Sequence, residues 1–172
     1  GVLMTINEFA EPAHTNLLMS LVTAGISRPE LMITLAEVGP PSTPDFIAKF
    51  KDDKEFEVRR SVATALGHFN KESITVPILI RYLEEETNVF IKWAAAESLI
   101  SIGEENKTPG LIRKLTSLMN KNDKLTVVLA GKVLGALQEE KGLLKLRELT
   151  SDADSKIRFE ATLALGALAD QG

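Results

Sequence analysis

The sequence predicts an all-α fold, a solenoid (α-α superhelix) of about five helix pairs stacked in a row. Three observations predict this class: a segment that recurs at a nearly constant period, apolar residues at helical spacing in each copy, and no convincing run of alternating strand residues. The period is 31, 33, 35 and 31 residues between the leucines that occupy one register position. These leucines are Leu35, Leu66, Leu99, Leu134 and Leu165. Because no single pair can bury its apolar stripe alone, we expect one core that runs along the array.

The second helix of each unit carries the clearest copy of the repeat. Residues 58–69 recur as 91–102, 126–137 and 157–168, and a degenerate copy ends at 35–39. Three of the four clear copies are preceded by Asp or Asn, whose side chains accept hydrogen bonds from the free amides of a first helical turn. We expect each such cap to be worth about 1 kcal/mol. The residues at the cap position are Glu55, Asn88, Asp123 and Asp154.

A shorter apolar segment precedes each of these copies and predicts the first helix of the unit. Proline leads the segment at Pro44, Pro77 and Pro109, where the start of a helix tolerates the missing amide. Residues 15–21 fit the pattern without a proline, and Leu143 opens the last copy. The predicted units, all in one domain spanning residues 1–172, are about 5–39, 42–70, 72–103, 107–138 and 141–169.

Glycine recurs near the end of the second helix, at Gly67, Gly135 and Gly166. A glycine within a helix costs about 1 kcal/mol relative to alanine. Its recurrence in register therefore predicts either tight packing against a neighbouring helix or an early helix end.

The combined pattern resembles the HEAT-like repeat of the phycobilisome-lyase type. That signature is an Asx residue, an apolar-Arg pair, two small residues and then Ala-Leu-Gly, and residues 154–168 match it best. The resemblance covers about residues 42–169 and, more weakly, 14–39. It implies that the second helices line the concave face, and that the basic residue of the pair bonds to backbone or to an acid of a neighbouring unit. The basic residues at this position are Arg59, Lys92 and Arg158.

The outward positions of the second helices are the candidate functional surface. With the apolar stripe directed inwards, helical geometry turns the rows that begin at Glu57 and Arg60 outwards. In the third to fifth units these rows carry large apolar residues, and an exposed apolar ridge marks a protein-binding surface. The predicted partner-binding residues are Phe90, Trp93, Leu125, Val128 and Phe159, with Arg60 and Lys132 at the rim and Leu129 also turned outwards. Packing of Phe90 and Trp93 between adjacent units is the alternative interpretation.

Motifs and composition argue against most catalytic classes. The 172 residues include no cysteine, which excludes disulfides, thiolate chemistry and cysteine metal sites. The two histidines, His14 and His68, have no partner at metal-ligand spacing, and the repeated His-Glu pairs of deoxyhypusine hydroxylase, a HEAT-repeat metalloenzyme, do not occur. Neither a phosphate-binding loop nor a Gly-x-Ser-x-Gly nucleophile turn is present. We therefore expect a protein without catalytic residues, metal or cofactor.

Charge and hydropathy limit the kinds of partner. A net charge of −4, from 20 basic and 24 acidic residues, argues against a surface that follows a phosphate backbone. No apolar run approaches the ~20 residues that span a bilayer, and the N-terminus does not resemble a signal peptide. We expect a cytoplasmic protein that binds a protein partner, with no nucleic acid and no membrane. The alternatives are a bilin lyase or pigment-handling subunit of the phycobilisome-lyase type and, after it, a nucleic-acid-binding HEAT-like protein.

The C-terminal end of the array predicts a further contact. Solenoids ordinarily need polar terminal caps, whereas the last helix stops shortly after Ala169 with Phe159 and Leu163 on its flanks. We expect the array either to continue in a longer protein or to dock onto a partner at this end.

Overall fold

The computed structural model describes the backbone of residues 2–170 and the side chains of residues 13–170. These residues form ten α-helices and one short 3-10 helix, and they contain no strand. The helices are α1 (Val2–Thr23), α2 (Arg28–Val38), α3 (Thr43–Ile47), α4 (Phe56–Leu66), α5 (Glu72–Glu85), α6 (Val89–Glu105), α7 (Pro109–Leu118), α8 (Lys124–Ala136), α9 (Glu140–Leu149) and α10 (Ser155–Ala169), with the 3-10 helix at Ala48–Phe50 after α3.

Consecutive helices pair, and the pairs stack in chain order. Within each pair the two helices contact each other, from α1 and α2 to α9 and α10. The second helices α2, α4, α6, α8 and α10 also contact one another in sequence and form one continuous layer. The predicted all-α solenoid is therefore confirmed.

The core runs along this stack, as the repeat pattern predicts. Four of the five register leucines (Leu35, Leu66, Leu99 and Leu134) are fully buried, whereas Leu165 in the last second helix is half-buried. The apolar cluster extends from Val22 in α1 to Leu137 after α8, and a second cluster joins α8, α9 and α10. The register leucine is thus less completely buried in the last second helix than in the earlier ones.

Asx residues cap three of the second helices, which confirms the predicted start signals. The side chain of Asn88 accepts a hydrogen bond from the amide of Phe90 at 2.9 Å. Asp123 and Asp154 accept bonds in the same way, at 3.2 and 2.8 Å, from the amides two residues further on. Glu55 makes no such bond before α4.

The basic residues of the repeat connect neighbouring units. Arg59 donates to Glu86 of the following unit, at 2.6 Å from Nε to Oε1. Lys92 is buried, with 3% of its surface exposed, and its ammonium donates to Thr126 Oγ1 at 2.7 Å and forms an ion pair with Asp123. Arg158 donates only to backbone carbonyls of its own unit. The structural role implied for all three residues is confirmed.

The expected position of one proline is wrong. Pro109 is the first residue of α7 and Pro44 lies in the first turn of α3, as expected. Pro77, however, lies inside α5, because that helix already begins at Glu72. The ring is exposed, so it does not disturb the packed face of the helix.

Within the part of the chain that the structure describes, no helix is long and apolar enough to cross a membrane.

Candidate functional site

Phe90 and Trp93 lie on the outer face of the layer of second helices. The Asn88 cap determines where α6 begins, and the two aromatic residues follow one turn apart on its exposed side. Their rings meet edge to face, with centroids 5.7 Å apart and planes at 90°. Phe90 is 51% exposed and Trp93 36% exposed. The two rings stabilise each other in a preferred edge-to-face arrangement, and both remain partly exposed to solvent. Exposed aromatic pairs of this kind are typical of a contact site.

A shallow groove begins at Trp93 and crosses α6, α8 and α10. Its volume is about 300 Å³, and most of the accessible surface inside it is apolar. The small side chains Ala164 and Ala167 leave room on the α10 side, and Leu163 is 55% exposed there. The full lining is Trp93, Glu97, Val128, Leu129, Lys132, Glu160, Leu163, Ala164 and Ala167.

Three charged residues, Glu97, Lys132 and Glu160, line this groove beside its apolar side chains. Lys132 of α8 forms an ion pair with Glu97 of α6, so these two charges are already matched across the helix boundary. Glu160 of α10 makes no salt bridge with any described residue. The groove therefore offers an apolar floor with one acidic group available at its edge.

The seven predicted partner-binding residues do not form one surface. Trp93, Val128 and Lys132 line the groove, and Phe90 adjoins it through its contact with Trp93. The others lie apart from the lining. Leu125 is half-buried against the core, Phe159 is 64% exposed beside the groove, and Arg60 on α4 pairs with Glu57 at 2.9 Å.

Val128 and Leu129 are not outward-facing, which corrects the expectation for both. Val128 is fully buried and Leu129 is 3% exposed. The reason is that α10 packs across α8 at this point, and Val128 shares an apolar cluster with Ala161 and Ala164 of that helix. Val128 thus contributes to the floor of the groove rather than to a projecting ridge.

Sequence reasoning left Glu97, Glu160, Ala164 and Ala167 out of this site, and also Leu163, which is its most exposed large apolar lining residue. Leu163 occupies the row of Thr64, Glu97 and Lys132, whose earlier members are polar, so the row as a whole does not predict an apolar contact. Its position one turn after Phe159 on the same helix was the available signal.

A second, larger cleft is lined mostly by charged and polar residues. It has a volume of about 370 Å³ and lies over the loops that precede α4 and α6. Arg81 bonds to Asp52 at 2.7 Å, and the Tyr82 hydroxyl donates to the carbonyl of Lys51 at 2.7 Å. Burial raises the pKa of Tyr82, so its hydroxyl stays protonated as a donor. Most of the charged side chains that line this cleft are engaged in ion pairs within or between neighbouring units.

The described residues contain no cluster of three or more His, Asp or Glu side chains that could hold a metal ion.

Comparison with known proteins supports the architecture. Residues 43–127 match the family model of HEAT repeats, and the described residues have the fold of an α-solenoid. A crystal structure of an engineered protein from a structural genomics consortium is similar to the chain, with a TM-score of 0.53 and 19% identity. The similarity covers 100% of this chain and 86% of the other, and at this identity it shows the fold alone. No curated protein matches the sequence. HEAT repeats generally mediate protein interaction, while the finer resemblance to the phycobilisome-lyase type stays a prediction.

Proposed function

We propose that this protein is a non-enzymatic interaction module, and that it binds a protein partner in the groove between α6, α8 and α10. The observation that carries the proposal is the exposed Trp93–Phe90 pair at the mouth of an apolar groove. Transfer of apolar surface from water into such a groove is favourable, and tryptophan is the residue most enriched among interface hot spots.

The groove also specifies the chemistry of the segment that it binds. Its floor suits bulky apolar side chains, and Glu160 at the rim has no described cation as a partner. The partner segment is therefore apolar with a basic residue beside it. A contact of the array's C-terminal end with a partner is the second part of the same proposal.

The experiment uses Trp93, the single tryptophan of the chain, as its own reporter. Peptides selected on the full chain from a random phage-displayed library should be rich in bulky apolar and basic residues, and should shift the tryptophan emission. Trp93→Ala should leave helicity almost unchanged and lower the affinity for these peptides by at least about tenfold. Leu163→Ser provides a second groove variant, because its exposed side chain has no part in the core.

The matched control is Phe56→Ala, which removes an exposed aromatic residue at the start of α4, outside the groove. It should leave peptide affinity unchanged. Equal binding to wild type and Leu163→Ser, or loss of folding in Trp93→Ala, would contradict the proposal. Binding of an open-chain tetrapyrrole with a shifted absorption band would favour the pigment-handling alternative instead.

A further inference from the structure

Each junction between successive helix pairs contains an ion pair of the same design. The cation lies in the first turn of one second helix, and the acid lies within three residues before the next second helix. The pairs use side chains of different types and therefore do not depend on one sequence motif. They are Arg28–Asp53 at 3.2 Å, Arg59–Glu86 at 2.6 Å, Lys92–Asp123, and Lys124–Asp152 at 2.7 Å.

Arg158 occupies the register position of Arg28, Arg59 and Lys92 in the last second helix, and it forms no salt bridge with any described acid. Lys124 lies three residues before that position in α8. The Nη1 of Arg158 donates to the carbonyls of Asp152 and Ala153 at 2.8 and 2.9 Å. Arg59 holds the same pose, because its Nη1 donates to the carbonyls six and five residues earlier, at 2.7 and 3.2 Å. The guanidinium has five donors, and those that Arg59 directs to Glu86 meet no described carboxylate at Arg158.

Glycine at the end of the second helix shows the same difference. A Cβ at Gly67 would lie 2.5 Å from the hydroxyl of Ser98 in the next second helix, and a Cβ at Gly135 would lie 2.6 Å from Leu168. A Cβ at Gly166 would meet nothing within 4 Å. Gly166 thus leaves room for a neighbouring helix, as Gly67 and Gly135 do, but no residue of the described chain occupies that room.

Two more positions on the outer side of α10 differ from their counterparts on α4 in the same way. Ala63 is buried, and its carbonyl accepts a hydrogen bond from Ser98 at 2.8 Å, whereas Thr162 in the same register is exposed. The register leucine is fully buried at Leu66 and half-buried at Leu165. We call the resulting surface the end face: Arg158, Thr162, Leu165 and Gly166.

We infer that the end face binds a helix pair of a partner protein, stacked on α10 as α5 and α6 stack on α4, with a carboxylate in the loop between its two helices to accept from Arg158. This inference rests on the C-terminal contact in the proposed function and specifies its chemistry. The established junctions provide the template, since the same surface is covered at every earlier unit. Charge complementarity selects an acidic loop.

The first unit of a second copy does not meet this requirement. The loop between its helices, residues 24–27, consists of Ala24, Gly25, Ile26 and Ser27 and carries no acid. Head-to-tail stacking of two copies would leave the guanidinium of Arg158 without its acceptor. The proposed occupant is therefore a helix pair with an acid in its loop, and not the first unit of a second copy.

The test extends the full chain with a further copy of residues 72–105, joined directly after Asp170 so that the spacing from Arg158 to the added Glu86 equals that from Arg59 to Glu86. This unit contains α5 and α6, so it brings Glu86 to Arg158 and Ser98 to Gly166 in the arrangement that these residues have at α4. In a solenoid, a matching unit adds interface and raises stability. We expect the melting temperature to rise by about 5 °C or more, and amide exchange in α10 to slow.

The specificity of the gain decides the inference. Glu86→Gln in the added copy alone should remove part of the gain in melting temperature, and Arg158→Ala should remove the same part. The double variant should lose no more than either single variant, because both changes break the same ion pair. Gly166→Leu should abolish the gain but leave the unextended chain stable, because that position is open. The groove variant Trp93→Ala should keep the gain, which separates this result from the groove-binding test.

An extended chain that is no more stable than the parent, or whose gain is indifferent to Arg158→Ala, would overturn the inference. Sedimentation of the parent chain gives the other decisive outcome. Self-association that Arg158→Ala removes would assign the end face to a second copy rather than to a different partner.

Discussion

The junction between α4 and α6 and the outer side of α10 carry the same residues in the same register, and they differ in what covers them. At the junction, Arg59 reaches Glu86 and Gly67 lies against Ser98. At α10 the matching arginine and glycine face open space. A repeat motif therefore defines where a side chain lies, whereas the neighbouring unit defines its energetic role. The same substitution should have different effects at the two places.

The largest effect should come from Lys92→Met, which breaks a covered junction and keeps most of the side-chain volume. The Lys92 side chain is 4% exposed and its partner Asp123 is half exposed, so the carboxylate regains some water when the pair is lost. We expect a loss of about 2–3 kcal/mol in the free energy of unfolding, since breaking a buried pair costs about 3–5 kcal/mol. Urea denaturation followed by circular dichroism measures it.

The control for this variant is Lys156→Met, an exposed lysine in the first turn of α10. It should change the free energy of unfolding by less than about 0.5 kcal/mol. A Lys92→Met protein as stable as wild type would mean that apolar packing replaces the pair without loss. The junction cations would then contribute little to stability.

The glycine pair should give effects of opposite sign. Gly67→Ala places its Cβ 2.5 Å from Ser98 Oγ and 3.0 Å from Ser98 Cα, so the backbone of α6 must shift. We expect a loss of about 1–2 kcal/mol. Gly166→Ala meets no atom and lies inside α10, so it should gain about 0.5–1 kcal/mol from helix propensity.

Thermal unfolding of the two alanine variants measures both values against wild type. A loss of similar size at the two positions would remove the distinction between the covered junction and the end face. Ser98→Gly combined with Gly67→Ala relieves part of the overlap and should recover part of the loss, which a purely local effect at residue 67 would not.

The architecture could be predicted from the sequence, because period, apolar stripe and cap residues are local signals that recur in every copy. The start of α6 after Asn88 and the burial of Leu99 follow from such signals. The groove could not be predicted in the same way. Rows of outward positions treat every unit alike, whereas in the structure α10 packs against α8 and buries Val128. Pro77 was misplaced for a related reason, since tertiary packing tolerates a proline in the exposed face of α5.

The two matched arginines should differ by less than the glycines do. Arg59→Ala removes a pair with Glu86 whose side chains are 20% and 13% exposed, together with the bonds to two loop carbonyls. We expect a loss of about 1 kcal/mol, because solvent still screens a partly covered pair. Arg158→Ala removes the carbonyl bonds and a coulombic attraction to Asp152, without a salt bridge to a described acid, and its loss should be about half of that or less.

Denaturant titration of the two alanine variants at low and high salt makes the comparison sharper. Salt should reduce the effect of Arg59→Ala, which contains a charge pair, more than the effect of Arg158→Ala. Equal losses with equal salt dependence would show that the carbonyl bonds, and not Glu86, account for the role of Arg59.

The smallest effect is the acid sensitivity of the covered junctions. Burial opposes ionisation of Asp123, but hydrogen bonds from Lys92 and Thr126 outweigh it and hold the pKa of this carboxyl below its ordinary 3.8. The hydrogen bond from Lys124 lowers the pKa of Asp152 in the same direction. A carboxyl whose pKa is lowered in the folded state contributes stability above its ordinary pKa and loses it as the pH falls through the folded value.

The free energy of unfolding should therefore be insensitive to these two groups between pH 7 and pH 5, and should fall below about pH 4. Asp123→Asn should lower stability at pH 7 and reduce the slope below pH 4. Arg158 of the end face forms no salt bridge with a described carboxylate, but its positive charge also lowers the pKa of Asp152. If Asp123→Asn leaves the acid slope unchanged, protons are taken up elsewhere and the junction pairs do not govern acid unfolding.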